Sequence, residues 1–400
     1  MRVLVLNCGS SSLKFQIVDV TGGDGAPARD GRVPRGTVER IGGQATCTFI
    51  DAQGRAQRAT RAIDTHEQAV REVFAQLMHG GGAAPVDAVG HRVVHGGDRF
   101  SAAARIDPEV LAEIEALDEL APLHNAASVS AIKAARETCG ANVPMVAVFD
   151  TVFHRTLPDC AATYALPAEL ARRHRIRRYG FHGIAHSFLV SRYGEITGTA
   201  SGGINIITLH LGNGCSATAI HQGRSVDTSM GFTPLEGLMM GTRCGDLDPA
   251  VVSYVARREA VAADTVVDWL NHQSGLLGVS GRSRDMRELT TLVDTDHAAR
   301  LAVEMFCYRA SKCVGAYLTV LGGAAALIFS GGIGENSPLV RARICERLRW
   351  CGLLIDGERN TATVGREACI SSGDGLQAYV IPADEELMIG RETARCLASS

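Results

Sequence analysis

The sequence lacks the features of a membrane or exported protein. No stretch approaches the roughly 18 consecutive apolar residues that a membrane-spanning helix needs. The N-terminal apolar run, Met1–Leu6, is too short for a signal peptide and has no small-residue cleavage site after it. The twelve cysteines form no CxxC pair and show no zinc-like Cys/His spacing. These absences predict a cytoplasmic protein that has no membrane partner and whose thiols are mostly buried and inert.

Two further absences narrow the function. The formal net charge is −3 at pH 7, without a basic patch, so nucleic acid is not expected as a partner. No segment matches the Walker pattern GxxxxGK[ST], and no GxGxxG stands in a βαβ unit. The familiar nucleotide-binding folds are therefore disfavoured.

Glycine, by contrast, is abundant: 44 of 400 residues, often in short clusters beside apolar runs. That distribution is typical of turns in α/β proteins and not of a flexible linker. With 46% hydrophobic and 21% charged residues, the chain is globular in composition. Because 400 residues exceed what one hydrophobic core usually contains, two domains are expected.

The order of predicted elements occurs twice along the chain. Strands at Arg2–Leu6 and Leu13–Val20 enclose a small-residue turn, and so do strands at Ile204–Leu211 and Ser216–Ile220. Each half continues with helices and buried strands: helices Thr65–Met78, Asp107–Leu117, Ala126–Cys139, Pro249–Arg258, Ala263–His272 and His297–Leu321, and strands Val86–Val94, Pro144–Phe149 and Ala325–Ser330. We expect an α/β protein with an N-terminal lobe at 1–150, a C-terminal lobe at 151–384 and a last helix, about 385–400, returning to the first lobe.

Three glycine turns follow apolar strands, at Asn7–Ser12, His210–Gly214 and Gly331–Glu335. Such turns expose backbone N–H groups and let an anionic ligand approach closely. A tight hairpin explains any one of them equally well. The first turn, however, carries three serine hydroxyls and is followed by Lys14, which offers a positive charge. Together the three turns predict phosphate binding.

Charged and polar side chains stand where apolar strands end, which is where α/β proteins place their sites: Arg92, Asp150, His182, His210 and Arg243. A lone arginine or histidine is more often a surface charge or a hydrogen-bonded core residue. Phosphoryl transfer nevertheless asks a protein for such groups, because it depends on positioning and charge neutralisation.

The setting of these side chains favours a site. Arg243 lies in the irregular stretch Asp227–Pro249, and long irregular stretches inside globular chains commonly surround a site. Four apolar residues adjoin the polar candidates and could wall a small pocket: Val94, Leu123, Phe181 and Pro234. A pocket for a methyl group beside an arginine fits a small carboxylic acid.

Read together, these motifs resemble the acetate kinase family. The matching segments run in family order along nearly the whole chain: NCGSSSLKF at 7–15, GHRVVHGG at 90–97, APLHN at 121–125, VFDTVFH at 148–154, RRYGFHG at 177–183, HLGNG at 210–214, DTSMGFTPLEGLMMGTRCGDLDP at 227–249, SGGIGENS at 330–337 and EELMI at 385–389. The block at 227–249 is long and improbable by chance, so the resemblance is specific.

The resemblance implies a two-lobed, duplicated α/β fold of the actin-like or ribonuclease H-like ATPase type, with ATP in the interlobe cleft. It implies reversible transfer of the γ-phosphoryl group of ATP to acetate, with Mg²⁺ or Mn²⁺ and a homodimer. The C-terminal lobe would bind nucleotide and form the dimer contact.

The resemblance also assigns roles to single residues. Arg92 would bind the acetate carboxylate, Asp150 would be the essential acidic residue, and His182 and Arg243 would stabilise the transition state. Asn7 and Glu385 would organise the metal. The methyl pocket would be formed by Val94, Leu123, Phe181 and Pro234. ATP would contact Lys14, Ser10, Ser12, His210, Leu211, Gly212, Asn213, Gly214, Asp285, Met286, Arg287, Gly332, Ile333, Gly334, Glu335 and Asn336.

Chemistry limits one of these roles. A carboxylate substrate is already ionised at pH 7, so Asp150 has no proton to remove. We therefore hypothesise that Asp150 orients Arg92 or metal-bound water. The sequence departs from the family pattern at Cys8 and Cys215, at Ser283–Arg284 and at Ala383–Asp384, but none of these departures removes a polar group that has been assigned a role.

Two other functions stay open. Propionate kinase differs by one methylene in the substrate, which changes the binding free energy by only about 1–3 kcal/mol. An actin-like or Hsp70-like ATPase module that binds proteins would share the fold and the phosphate turns. It should lack the paired arginines and the methyl pocket, and it normally carries a separate partner-binding segment, which this sequence does not show.

Overall fold

The computed structural model describes residues 1–9, 11–21, 26–27, 33–79, 86–119 and 125–399. The chain divides into two compact units. Unit 1 is Met1–Val152 together with Asp384–Ser400, and unit 2 is Phe153–Ala383. Each unit is built on one β-sheet with helices packed beside it.

The described residues of unit 1 contain one nine-stranded sheet. Its strands are β1 (Arg2–Cys8), β2 (Ser12–Thr21), β3 (Ala26–Pro27), β4 (Arg35–Glu39), β5 (Gly43–Ile50), β6 (Ala56–Ile63), β7 (Ala88–Val93), β8 (Ala104–Arg105) and β9 (Met145–Phe149). Helix α1 (His66–His79) stands between β6 and β7, and helices α2 (Pro108–Ala116) and α3 (Asn125–Cys139) stand between β8 and β9. The sheet order is β6-β5-β4-β2-β1-β7-β9-β8, with β3 paired to β2.

Pairing within this sheet brings three predicted site residues to one edge. The apolar strand β1 is fully buried over most of its length because it runs between β2 and β7. β1 is parallel to β7, and β7 is parallel to β9, so the carboxyl ends of all three strands lie together. Asn7 stands near the end of β1, Arg92 near the end of β7, and Asp150 directly after β9.

The described residues of unit 2 contain a six-stranded sheet in the order β12-β11-β10-β13-β15-β14. Its strands are β10 (Ile206–Leu211), β11 (Cys215–His221), β12 (Arg224–Thr228), β13 (Ala326–Ser330), β14 (Ala368–Cys369) and β15 (Gln377–Val380). Its helices are α4 (Asp159–Ala162), α5 (Ala168–Arg173), α6 (Gly183–Thr197), α7 (Ala250–Glu259), α8 (Ala263–His272), α9 (Gly275–Ser280), α10 (Met286–Leu292), α11 (His297–Leu321), α12 (Gly331–Asn336), α13 (Pro338–Glu346) and α14 (Gly357–Ala362).

The centre of this sheet repeats the pattern of unit 1. β10 and β11 form an antiparallel hairpin, as β1 and β2 do, and β10 is parallel to β13. The register pairs His210 with Ser330, so the turn after β10 and the segment after β13 begin side by side. Two of the three predicted glycine segments therefore share one sheet edge.

The last helix, α15 (Glu385–Ala398), belongs to unit 1 and packs across β1, β2, β7 and β9. Gly90 on β7 makes this close packing possible. A Cβ atom at Gly90 would lie 2.9 Å from Ile389 Cγ2 and would collide with the Thr393 hydroxyl. Gly90, the first glycine of GHRVVHGG, therefore lets α15 pack closely against the sheet.

One predicted turn is wrong. Gly331–Glu335 was expected as a glycine turn, but residues 331–336 form the short helix α12. Gly331 leaves β13 with φ of 74°, and the carboxylate of Glu335 accepts a hydrogen bond from its N–H at 2.8 Å. That side chain satisfies a backbone donor at the helix start, which favours the helical turn.

The starts of two helices agree with the sequence. Asp107 caps α2 by accepting from Val110 N, with Pro108 in the first turn, and the Thr65 hydroxyl accepts from Gln68 N at the start of α1. In the described part of the chain, no helix combines the length and apolar character that crossing a bilayer requires.

Candidate active site

Arg92 and Asp150 form a buried ion pair at adjacent strand ends of unit 1. Arg92 Nε donates to Asp150 Oδ1 at 3.1 Å, and Nη2 donates to Oδ2 at 2.5 Å. Burial by itself would lower the pKa of the Arg92 guanidinium, but the charges of Asp150 and Glu385 outweigh it and raise that pKa. The arginine is therefore held charged and in a fixed orientation, as a carboxylate-binding group requires.

Beside this pair, Asn7 gathers two carboxylates. Its amide Nδ2 donates to Glu385 Oε2 at 2.9 Å and to Glu386 Oε1 at 2.8 Å. Burial, and then the neighbouring charge of Glu385, raise the pKa of Glu386. Two acidic side chains bound to one amide make this place negatively charged. A bound cation would reduce the repulsion between the two carboxylates. Asn7 and Glu385 were expected here from the sequence, whereas Glu386 was missed although it is the next residue of the same motif.

These donors fit a Mg²⁺ or Mn²⁺ ion that keeps part of its shell for water and phosphate. Carboxylate oxygens are ligands that such hard cations take. The amide oxygen of Asn7 accepts from Arg92 Nη1 at 3.4 Å, so Asn7 serves the site by orienting the two carboxylates. Among the described residues, however, no three His, Cys, Asp or Glu side chains are grouped closely enough to form a complete metal cage. Mg²⁺ in phosphoryl-transfer sites is commonly held by one or two carboxylates plus substrate phosphates, so an incomplete protein shell is expected.

The first glycine turn is only partly described. Ser10 lies outside the described residues, as does Leu123 of the predicted methyl pocket. Gly9 N donates to Ser12 O at 2.8 Å, which closes the turn. Lys14 is exposed on β2, opposite Asn7 in the strand register. An exposed lysine beside the carboxylate group is available to a charged ligand.

In unit 2, the turn after β10 brings the predicted transition-state residues together. A Cβ atom on Gly214 would lie 3.4 Å from His182 Nε2 and 3.6 Å from Arg243 Nη1. Gly212 N donates to Gly214 O at 3.0 Å, so the turn is tight. The ring of His210 lies 4.9 Å, centroid to centroid, from that of His182. The structure thus places His182, Arg243 and the HLGNG turn around one point.

The irregular block 227–249 is fixed by a polar cluster that the sequence analysis did not identify. Arg178 donates to the carbonyl oxygens of three consecutive block residues, Thr228–Met230, at 3.0–3.2 Å, and to Glu236 Oε1 at 2.6 Å. Tyr164 also hydrogen-bonds to Glu236 and lies under the Arg178 guanidinium. Arg178 belongs to the motif RRYGFHG, from which only Phe181 and His182 were predicted as site residues.

The same block orients Arg243. Its Nη1 donates to Pro234 O at 3.0 Å, so a predicted methyl-pocket residue contacts a predicted catalytic one. Phe181 is buried, and its carbonyl accepts a hydrogen bond from His154 Nε2 at 3.0 Å. Val94, buried directly after β7, belongs to unit 1.

The predicted nucleotide residues fall into two groups in unit 2. Asp285 caps α10 and accepts a side-chain hydrogen bond from Arg287. This hydrogen bond is the main reason that the pKa of Asp285 is lowered. Met286, between them in the sequence, is buried. Gly332–Asn336 form most of α12, whose start lies against the HLGNG turn: a Cβ atom on Gly331 would be 2.7 Å from Leu211 O. The HLGNG turn and α12 are therefore neighbours in unit 2. These are the segments predicted to contact the phosphates and the nucleoside.

The helix α12 is held from behind by a fully buried arginine that sequence reasoning missed. Arg341 donates to the carbonyl oxygens of Gly334 and Glu335 at 2.8 and 3.1 Å. It also donates to Asn360 and to Thr363 O. Burial lowers the pKa of Arg341 to about 10. The helix α13 also contains Arg343 and Glu346, so Arg341 gave no sequence signal that it would be buried.

Comparison with known proteins identifies the family of the chain. The model of the Acetokinase family matches residues 2–391. The chain is 48% identical to the acetate kinase of Chloroherpeton thalassium, with 99% of each chain covered, and 51% identical to that of Solibacter usitatus, with 99% of this chain and 98% of the relative covered. Among solved structures, it matches acetate kinase from Porphyromonas gingivalis with a TM-score of 0.89 at 38% identity, covering 99% of each chain. A propionate kinase from Francisella tularensis gives a TM-score of 0.89 at 37% identity, covering 98% of each chain.

The fold and these sites define a phosphotransferase of the actin-like ATPase class that uses a carboxyl group as acceptor. The chain belongs to the acetokinase family, as the match over nearly its whole length shows.

Proposed function

We propose that the chain transfers the γ-phosphoryl group of ATP to acetate, reversibly and by direct in-line displacement, giving acetyl phosphate and ADP. The single observation that carries the carboxylate acceptor is the buried pair of Arg92 with Asp150. A guanidinium fixed at two points by one carboxylate keeps its remaining N–H donors in a defined direction, where a second carboxylate can bind.

The nucleophile needs no general base in this reaction. Acetate is ionised at neutral pH, so its oxygen is ready to attack and Asp150 is left with a positioning role. We assign to Arg92 the binding of the acetate carboxylate and to Val94 an apolar contact with the methyl group, together with Leu123, Phe181 and Pro234. Reaction then depends on alignment and charge neutralisation, which dominate phosphoryl transfer.

In unit 2 we assign transition-state stabilisation to His182 and Arg243. Both approach Gly214 of the HLGNG turn, so both can donate to a phosphoryl oxygen held there. Donors aimed at developing charge typically contribute about 3–4 kcal/mol each. We assign the nucleotide to Asp285–Arg287 and Gly332–Asn336, and the phosphates to the glycine turn at 212–214, to Lys14 and to the serine hydroxyls of Ser10 and Ser12.

We further assign Mg²⁺ or Mn²⁺ to Asn7, Glu385 and Glu386. When bound, the ion would neutralise phosphate charge. Replacing Glu386 by Gln should weaken Mn²⁺ binding in the presence of ATP by about tenfold or more, measured by electron paramagnetic resonance of free Mn²⁺. Glu392→Gln, farther along the same helix, is the control. Equal Mn²⁺ affinity in the Glu386 variant would remove this residue from the metal site.

The proposal of acetate, and not propionate, as the substrate depends on the names of the relatives. Those at 48% and 51% identity are named acetate kinases, whereas the propionate kinase structure is 37% identical. Acetyl phosphate formation should be measured by trapping with hydroxylamine, with acetate, propionate and butyrate compared at equal concentration. A kcat/KM that is highest for acetate supports the proposal, and one that is highest for propionate makes the chain a propionate kinase. No acyl hydroxamate from any substrate would overturn the kinase assignment.

A homodimer in the cytoplasm completes the proposal. The family resemblance supports the dimer, and all twelve cysteines are free, as in a reducing compartment. Sedimentation velocity should give about twice the chain mass of 42.4 kDa. A monomer at micromolar concentration would contradict the dimer.

A further inference from the structure

A chain of hydrogen bonds runs from His182 into the core of unit 2. His182 Nδ1 lies 2.9 Å from Ser216 Oγ, and the same oxygen lies 2.8 Å from His186 Nε2. His186 Nδ1 lies 2.7 Å from Thr208 Oγ1. Ser216, His186 and Thr208 are each fully buried. Four polar side chains are thus linked in series, with one end at the predicted catalytic ring and the other under the sheet.

The proton count allows only two directions for this chain. Burial first, and the neighbouring histidines next, lower the pKa of His186 well below its usual value, so its ring is neutral and carries one proton. In one direction the Thr208 hydroxyl donates to His186 Nδ1, and His186 Nε2–H donates to Ser216 Oγ. Ser216 then donates to Nδ1 of His182, because among the described residues its buried hydroxyl has no other hydrogen-bonding contact and its proton would otherwise lack an acceptor. In the other direction every one of these bonds is reversed.

Thr208 decides between the two directions. Across the part of the chain that the structure describes, the hydroxyl of Thr208 has one hydrogen-bonding contact, with His186. If His186 donated to it, the Thr208 proton would be buried without an acceptor, which costs about 1–3 kcal/mol. If Thr208 donates instead, every group in the chain is satisfied. The chain therefore runs outward from the core to His182.

We infer that Thr208, His186 and Ser216 are positioning residues that hold His182 as the neutral tautomer with its proton on Nε2. That nitrogen is the one that faces Gly214 of the phosphate turn, at 3.4 Å from where a Cβ atom would stand. The inference deepens the proposed function and rests on it for its catalytic consequence. His182 then gives the phosphoryl group a neutral N–H donor and transfers no proton.

The backbone of His182 fits this role. His182 has φ of 57° and ψ of 24°, a left-handed conformation that is unusual for a residue with a side chain, and it stands just before α6. Such a conformation persists where surrounding contacts enforce it. The hydrogen bond to Ser216 on β11 supplies such a contact, so backbone and ring are fixed together.

The tautomer can be observed directly in the full-length protein. Protein labelled with ¹⁵N-histidine should show His182 in two-bond ¹H–¹⁵N spectra at pH 7.5 as the Nε2–H form, with assignment by His182→Asn. Ser216→Ala and Thr208→Val should each produce a detectable Nδ1–H population at His182. Thr218→Val, an equally buried threonine on β11 outside the chain, should leave the spectrum of His182 unchanged.

His186→Gln provides the rescue. A glutamine amide can donate to Ser216 while its oxygen accepts from Thr208, so the Nε2–H tautomer should be retained, whereas His186→Leu should lose it. Finding His182 protonated on Nδ1 in the wild type, or unchanged in Ser216→Ala, would overturn the inference.

Kinetics separate this inference from the proposed function. Thr208→Val should lower kcat about three- to tenfold, the contribution of one hydrogen bond between neutral groups, with the KM values for ATP and acetate unchanged. If the wild type forms no acyl phosphate, the proposed function fails, while the spectra still decide whether the tautomer is fixed.

Discussion

Asp150 holds the Arg92 guanidinium at two points, through Nε and Nη2, at the carboxyl ends of the parallel strands β7 and β9. The side chain of Asp150 is 1% exposed and that of Arg92 14%. Breaking a buried pair by removing one partner leaves an uncompensated charge, which is far more costly than losing a surface ion pair.

Replacing Asp150 by Asn should therefore damage both stability and substrate binding. We expect the free energy of unfolding to fall by about 3 kcal/mol and kcat/KM for acetate to fall by about 100-fold or more, because the guanidinium is no longer fixed. Urea unfolding and the hydroxamate assay measure the two effects. Asp64→Asn, at an exposed position of the same unit, is the control. Near-normal turnover in the Asp150 variant would rule out an essential charge there.

The Gly90 position offers a test of how α15 is held. Gly90→Ala should force Ile389 and Thr393 away from the sheet and destabilise the protein by about 1–3 kcal/mol, the usual range for overpacking. Because α15 also carries Glu385 and Glu386, the Mn²⁺ affinity should fall as well. Gly43→Ala, where an added Cβ meets nothing within 4 Å, should change neither quantity. A Gly90 variant as stable as the wild type would show that the helix can move without cost.

The strand-end residues were predictable because parallel strands place their carboxyl ends at one edge. Once the apolar runs at Val86–Val94 and Pro144–Phe149 were recognised, Arg92 and Asp150 followed from position alone, whereas the role of Asn7 came from the family resemblance. Asp285–Arg287 and Glu385, by contrast, came only from family resemblance. Nothing in the composition of their segments indicates a ligand.

What the sequence could not reveal lies mostly in unit 2. The helix α6 was not predicted because it is buried on most sides and lacks amphipathic periodicity, and no side chain caps its first turn. The hydrogen-bonded series behind His182 joins residues from β10, β11 and α6, so it exists only once the sheet has formed. Single polar residues in apolar strands, such as Thr208 and Ser216, give no local signal of a shared network.

Arg341 should prove necessary for nucleotide binding although it lies behind the site. All of its hydrogen-bond acceptors are neutral oxygens, and the shorter fork-less side chain of lysine cannot reach them together. Arg341→Lys should lower the free energy of unfolding by about 3 kcal/mol and raise KM for ATP severalfold, with little change in KM for acetate. The exposed Arg366→Lys is the matched control. Equal rises in both KM values would show a general loss of structure and not a local effect on α12.

The buried histidines predict loss of stability in acid. Burial lowers the pKa of His154 to about 4 and that of His91 to about 3, whereas an unfolded histidine titrates near 6.5. Between these values the unfolded chain binds more protons than the native one, so stability is full above about pH 6.5 and declines as pH falls. Each such histidine contributes a slope of about 1.4 kcal/mol per pH unit.

Urea unfolding between pH 7 and 4.5 measures this slope. His154→Gln keeps a donor for Phe181 O. In this variant the free energy of unfolding should fall less steeply with decreasing pH than in the wild type, by the slope that one bound proton contributes. The m-value should be the same for both proteins at each pH, since the area exposed on unfolding is unchanged. Parallel curves for the two proteins would mean that His154 is protonated in the native state.

The thiols of Cys8, in the first predicted phosphate turn, and of Cys215, directly after the second, should be unreactive. Burial raises the pKa of Cys8 and of Cys215 to about 12, even though Arg92 and Arg243 oppose the shift. At pH 8 only about one molecule in ten thousand then carries the thiolate, which is the reactive form.

Cys160, by contrast, is exposed. Native protein treated with 5,5′-dithiobis(2-nitrobenzoate) should therefore be labelled at Cys160, with Cys8 and Cys215 blocked until denaturant is added and acyl phosphate formation retained. Peptide mapping identifies the labelled sites, and Cys160→Ser should remove the corresponding adduct. Labelling of Cys8 at a rate comparable to that of Cys160 would instead make the first turn sensitive to oxidation.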